Sequence, residues 1–309
     1  MKSAPRIAVI GAGMAGAAAA RLLADSGASV AIFDKSRGLG GRMATRRIEG
    51  GAFDHGAQYF RAQGARFAAR LAEWREAGLV EEWEQGRFVG APAMNAPVKA
   101  LIGDIPVHGG VAVAGVEKDG VGWRLRGEGG DDEVFDAVLS AIPSPQAAPI
   151  LASGGWEPSG LAGERYAPCL AAMLAFDTPI EIDPFLTVED ETIAWIADNG
   201  SKPGREGALE CVVVHAGADW SRAHLEEEPD EILAMLFMRF AGLTGVMAEP
   251  VHGAAHRWRY AFVDNPLGET HLWNAQRRLG ACGDWCLAPR VEAAFDSGEA
   301  AARAMFASL

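Results

Sequence analysis

The hydrophobic pattern of the chain begins as continuous runs and becomes periodic further along. Residues 6–10, Arg-Ile-Ala-Val-Ile, and 29–33, Ser-Val-Ala-Ile-Phe, are short apolar runs that predict two buried strands. Between them lie a glycine-rich turn at 11–16 and an alanine-rich stretch, 17–26, that favours helix, with Gly27 placed to cap its C-terminus. Strand, turn, helix and strand in that order make a βαβ unit that opens a parallel sheet. Phe67, Leu71 and Trp74 recur at spacings of four and three, which predicts a helix over 67–77 closed by Gly78. Strands are expected over 110–116 and 122–126, flanking the turn Lys118-Asp119-Gly120, and 134–142 reads as a buried strand running into a proline-rich loop. Residues 169–176, 192–197, 209–215 and 255–263 have strand character, 230–240 an amphipathic helical period, and 291–306 the pattern of a C-terminal helix.

Composition narrows the partners. The chain has 309 residues, 49% of them hydrophobic, which suits a folded protein of about two domains and excludes disorder as its main state. With 41 acidic against 28 basic residues the net charge is -13, which repels phosphate backbones and anionic lipid, so neither nucleic acid nor membrane is an expected partner. Lysine occurs only at Lys2, Lys35, Lys99, Lys118 and Lys202, so arginine forks would hold an anionic ligand. Four cysteines with no CxxC make no disulfide framework and favour a reducing, cytoplasmic compartment. Residues 7–20 mimic a secretory signal loosely, but Gly11, Gly13 and Gly16 interrupt the apolar helix it would need. The longest uncharged stretch, 137–156, holds Pro143, Pro145 and Pro149, which oppose a membrane-spanning helix. No metal site is expected: the histidines are scattered, and Cys282 and Cys286 lack matched ligands nearby.

The first candidate site is the turn after the first strand, Gly11-Ala12-Gly13-x-x-Gly16. Gly11 permits the tight turn, Gly13 lets the backbone approach a pyrophosphate, and Gly16 lets the helix lie close to the sheet, while the helix N-terminus offers unpaired N–H groups to the anion. Asp34 ends the second strand, where a carboxylate accepts hydrogen bonds from the ribose of an adenosine.

The segment that follows, Lys35-Ser-Arg37-Gly38-Leu-Gly40-Gly41-Arg42, resembles the double-glycine signature of the amine oxidase and phytoene desaturase group of flavoproteins. Gly41 would bring backbone against FAD, and Arg42 would neutralise its pyrophosphate. Gly280-Ala-Cys282-Gly283-Asp284-Trp285 and the helix from Val291 through Ala293 resemble the C-terminal flavin motif of the same group. There Asp284 would bond the ribityl or pyrophosphate side, and the helix N-terminus would face the flavin pyrimidine, where negative charge collects on reduction. Val113 resembles the valine that packs beside the adenine. Within the group, Asp54-His-Gly-Ala-Gln58-Tyr59 and His256-Arg-Trp-Arg259-Tyr260 most resemble the renalase branch. Those enzymes oxidise 1,2- or 1,6-dihydro isomers of NAD(P)H, returning NAD(P)+ and passing electrons to O2 as hydrogen peroxide.

The resemblance implies an α/β chain with a discontinuous FAD-binding Rossmann-type domain over 1–60, 98–150 and 270–309, and an inserted mixed-sheet α+β substrate domain over 61–97 and 151–269. FAD is expected to be held non-covalently. Gln58 and Tyr59 would border flavin and substrate, Tyr59 and Tyr260 would supply aromatic walls, and Arg259 would face a substrate phosphate or serve as an ion-pair partner. Hydride would pass from a dihydropyridine carbon to flavin N5 with no strong general base, since the pyridine becomes aromatic as it leaves. Two alternatives stay open: oxidation of an amine or another small molecule, and a flavin-binding scaffold without turnover.

Overall fold

The computed structural model describes residues 4–128, 133–161, 163 and 165–309. A six-stranded sheet runs in the order Leu272–Asn274, Leu279–Ala281, Ala137–Ser140, Arg6–Ile10, Ser29–Asp34, Val107–Gly109. All neighbours pair parallel except the edge hairpin formed by the first two. Arg6–Ile10 has a strand on either side, with Ile7 opposite both Val30 and Ala137, which is why its apolar run is unbroken by polar residues. The opening βαβ unit is therefore as expected, its helix running Met14–Asp25.

That helix lies against the C-terminal helix Val291–Phe306. Their crossing is so close that a Cβ on Gly298 would stand 2.2 Å from the Ala15 carbonyl oxygen. The helix Ala65–Glu76 joins this layer, with the rings of Phe67 and Phe295 5.3 Å apart. The opposite face of the sheet is covered by a three-stranded antiparallel sheet, Ala112–Asp119, Gly122–Glu128 and Val134–Phe135, and by the helix Ser144–Ser153.

The second large sheet has the order Phe185–Thr187, Ile193–Asp198, Glu210–Ala216, Tyr166–Phe176, His252–Val263, and is antiparallel throughout. Mixed pairing thus belongs to the six-stranded sheet. The helix Pro229–Thr244 covers one face through Ile232, Leu236 and Phe240. Phe53, from the hairpin Arg46–Ile48 and Gly51–Phe53, packs on the other with Met173 and Val213.

Two expectations about the middle of the chain are corrected. The proline-rich stretch after residue 142 is a helix, because Pro143 and Pro145 sit at its N-terminus, where a missing N–H costs no hydrogen bond. The strand expected over 134–142 is two strands. Asp136 breaks it, its carboxylate accepting the Arg6 N–H at 2.8 Å as the chain passes from the three-stranded to the six-stranded sheet. The helix Ala96–Ile102 and the hairpin Val80–Glu84 with Arg87–Gly90 were not foreseen. Among the described residues no helix is long and apolar enough to cross a membrane.

Candidate active site

The glycines of the first turn divide by what surrounds them. Gly11 has φ +108°, and a Cβ there would meet the Ala141 carbonyl oxygen at 2.9 Å; a Cβ on Gly16 would fall 1.9 Å from the Gly11 oxygen. Both are required by the chain's own packing. A Cβ on Gly13 would meet only the Gly40 oxygen, at 4.0 Å, so nothing within the protein demands glycine there. Gly41, at φ +55°, lies against Gly13, and Gly40 and Gly13 are bridged through the Gly40 N–H to Ala12 carbonyl bond of 3.0 Å. The helix that starts beside them has no side-chain cap, which leaves its first N–H groups without a side-chain acceptor. An open glycine cradle at an uncapped helix N-terminus fits the pyrophosphate of a dinucleotide.

Asp34 anchors this turn. One carboxylate oxygen accepts the Ala12 N–H and the other the Ser36 N–H, both at 2.7 Å, leaving lone pairs for a ribose. The Asp34 carbonyl accepts the Val111 N–H at 3.0 Å, so the strand carrying Val113 starts beside it, and Val113 packs half-buried against the core below. Lys35 is exposed. Arg42 and Asp284 form a bidentate pair at 2.7 and 2.8 Å, and Arg42 also donates to the Ala261 carbonyl at 3.0 Å. These two expected ligands of the pyrophosphate side therefore also tie the FAD-type turn to the last strand of the second sheet. Gly283 donates its N–H to Ser297 Oγ at 3.0 Å, and the short turn Asp284–Cys286 leads into the C-terminal helix at Val291, with Ala293 buried on its first turn.

Gln58 sits in a buried polar network that the sequence did not announce. Its Nε2 donates to the carbonyls of Asp54 and Gly56, and its Oε1 accepts from Lys202 Nζ at 3.0 Å. Asp54 is fully buried and accepts from Thr45 Oγ1 at 2.6 Å and Arg205 Nη2 at 2.7 Å, with Lys202 Nζ at 3.5 Å. Burial alone would raise the Asp54 pKa, but Lys202 and Arg205 hold it below the ordinary carboxylate value. Burial lowers Lys202 to about 8 against the pull of Asp54. Asp54 thus faces two cations, and the charge of Asp198 also acts on Lys202, so two carboxylates balance two cations beside Gln58. Lys202 and Arg205 lie in a Pro-Gly loop, Ser201-Lys202-Pro203-Gly204-Arg205; the only sequence signal was two cations in a chain with few lysines.

His55, His256 and Trp258 form an aromatic wall, with ring centroids 4.2 to 5.1 Å apart, and Trp258 Nε1 donates to the His55 carbonyl at 2.8 Å. Burial depresses His55, His215 and His256, each to about 4. Tyr260 packs on Tyr166 at 5.4 Å, whereas Tyr59 touches Trp195 at 5.9 Å, so the two expected aromatic walls have separate neighbours. Arg259 is not brought to this group: it is exposed and pairs with Glu226 at 2.6 Å, the ion-pair role being the one it fills. Cys282 and Cys286 are free and buried; burial pushes the Cys282 thiol up and Cys286 up to about 12, which keeps both protonated. Among the described residues no cluster of metal-binding side chains occurs.

Comparison with known proteins agrees with this geometry. Residues 9–74 match an NAD(P)-binding Rossmann-like domain, and residues 65–306 match the flavin containing amine oxidoreductase family. A 51-residue stretch is 49% identical to 4,4'-diapophytoene desaturase of Staphylococcus aureus, which takes in 16% of this chain but only 10% of the desaturase. Among solved structures, a protoporphyrinogen oxidase candidate from Exiguobacterium sp. 255-15 superposes with a TM-score of 0.75 at 13% identity, covering 100% of both chains. A putrescine oxidase bound to putrescine gives 0.65 at 15% identity over 98% of this chain and 99% of that one. These likenesses are of fold. The match over residues 65–306, joined to the glycine cradle and Asp34 that fit FAD, shows that the chain belongs to the flavin containing amine oxidoreductase family.

Proposed function

We propose that the protein oxidises a dihydropyridine nucleotide, a 1,2- or 1,6-dihydro isomer of NAD(P)H, with O2 as electron acceptor. The observation that carries this reading is the charge of the site. Asp54 and Asp284, the carboxylates next to Gln58 and Arg42, are both committed to arginine. A cationic amine finds no free carboxylate among them, whereas an anionic dinucleotide needs none. FAD, when bound, supplies the two-electron acceptor. The glycine cradle, Asp34, Arg42 and Asp284 would hold it, and the protonated thiols of Cys282 and Cys286 favour non-covalent attachment.

The remaining work falls to orientation. Lys202 fixes which end of the Gln58 amide points where, and the His55, His256 and Trp258 rings, two of the three pairs meeting edge to face, give the site an apolar side. The depressed histidines are weak bases, which suits a reaction that removes no proton from its substrate. Amine oxidation is the second reading, favoured by the family and by the aromatic wall, a surface to which cations bind. Stopped-flow mixing of the yellow holoprotein with dihydropyridine isomers and with putrescine under anaerobic conditions decides between them. Faster bleaching by the isomers is expected; bleaching by putrescine alone assigns the protein to amine oxidation.

A further inference from the structure

Tyr59 is followed by an antiparallel bridge in which Phe60 and Phe88 exchange N–H to carbonyl bonds of 2.8 and 2.9 Å. Arg61 and Arg87 flank that bridge, and both guanidinium groups lie over the Tyr59 ring, 5.8 and 5.2 Å from its centroid. Two like charges gathered on one ring repel. In a chain with 41 acidic residues a carboxylate could stand between them, yet among the described residues neither arginine has an acidic partner. Arg87 also covers the Phe185 ring at 4.5 Å, so its face is used and the N–H edge is what remains. Its Nε is shielded from solvent and has no acceptor. The same holds for Nε1 of Trp195, which stacks on Phe185 at 4.8 Å and contacts Tyr59. Shielded donors without an acceptor are costly, and here they gather round one ring with no acceptor among them.

From this convergence we infer that Arg61, Arg87 and Trp195 form an anion subsite beside Tyr59 that takes the phosphate of a phosphate-bearing substrate. The inference rests on the reading that Tyr59 borders the substrate, and it adds the residues that select the substrate's charge. Phosphate matches the site better than carboxylate: it brings more acceptor oxygens and, as the pyrophosphate of a dinucleotide, two negative charges to two guanidinium groups and an indole N–H. The Tyr59 and Phe185 rings hold both guanidinium planes in place before the ligand arrives, which lowers the ordering cost of binding.

Equilibrium titration of the oxidised holoprotein with NAD+, pyrophosphate and putrescine, read by tryptophan fluorescence and flavin absorbance, tests this without turnover. NAD+ and pyrophosphate are expected to bind, putrescine is not, and Arg87→Met is expected to weaken the two anions about ten- to a hundredfold, with Arg87→Lys retaining part of the affinity. Arg61→Met, at an exposed position, carries the same expectation and decides the matter if Arg87→Met does not fold. Anion affinity unchanged in Arg61→Met and in any folded Arg87 variant overturns the subsite. If the anions bind through these arginines but dihydropyridine isomers leave the flavin oxidised, the subsite stands and the assigned reaction falls. If the isomers reduce wild type and variants with equal affinity and rate, the reaction stands and the subsite falls.

Discussion

Lys202 is the residue whose environment constrains its chemistry most. It is 1% exposed, its ammonium is shared between Gln58 Oε1 and Asp54, and burial holds its pKa at about 8 against an ordinary 10.5. Below about 8 it is charged and orients the Gln58 amide; as the pH rises through that value the charge is lost while Arg205 stays paired to Asp54. Flavin absorbance of the holoprotein is therefore expected to titrate near pH 8, with flavin reduction slowing on the alkaline side. Lys202→Met should abolish that inflection and lower the rate roughly tenfold, the worth of one charge-assisted hydrogen bond. An unaltered pH profile in Lys202→Met would detach the lysine from the site. Gln58, by contrast, was recognisable from the sequence, because its motif carries it; the lysine that orients it comes from 144 residues further on and left no local trace.

Among the elements, the first helix shows how two glycines three residues apart do different work. Gly16 is needed for the helix to leave the strand, since a methyl group there would overlap the Gly11 carbonyl, and Gly298 plays the same part where the C-terminal helix crosses Ala15. Gly13 faces open space. Gly16→Ala should thus lower the melting temperature strongly, the clash costing on the order of a few kcal/mol of stability, whereas Gly13→Ala should fold normally and lose FAD affinity. Thermal melts of both apoproteins beside FAD titrations separate the two roles; equal destabilisation by both would remove the case for a pyrophosphate at Gly13. The C-terminal helix holds a second joint, the buried carboxylate of Glu292, which accepts the N–H groups of Gln63 and Gly64 at the start of the helix Ala65–Glu76. That contact explains why residues 65–76 pack with the nucleotide-binding layer, whereas the family resemblance implied a place for 61–97 in the substrate domain.

Across the whole molecule, His55, His215 and His256 sit where the second sheet meets the loop that follows the double-glycine turn. Each is held to about 4 by burial, against 6.5 ordinarily, so between those values the unfolded chain takes up protons that the folded one refuses. Stability must then fall as the pH drops through that window, on the order of 3 kcal/mol for His215 alone by pH 4. Asp54, held low by its cations, adds to the loss in the same direction once the pH passes below its ordinary 3.8. Denaturant unfolding followed from neutral pH to about 5 should show the midpoint falling below pH 6.5, and a flat profile would show that these rings are solvated. The sequence by itself determined the opening βαβ unit, the FAD-type cradle and the C-terminal helix, because each is encoded in neighbouring residues: an apolar run, a glycine spacing, a helical period. It also carried the family resemblance through motifs at both ends of the chain. The tertiary structure alone decided that Asp54 is paired with Lys202 and Arg205, that Arg42 is met by Asp284 242 residues away, that Arg259 turns outward to Glu226, and that Arg61 and Arg87 share the Tyr59 ring. Charge pairing acts through space between segments brought together by sheet order and loop closure, and no local periodicity encodes which arginine finds a carboxylate and which is left for a ligand.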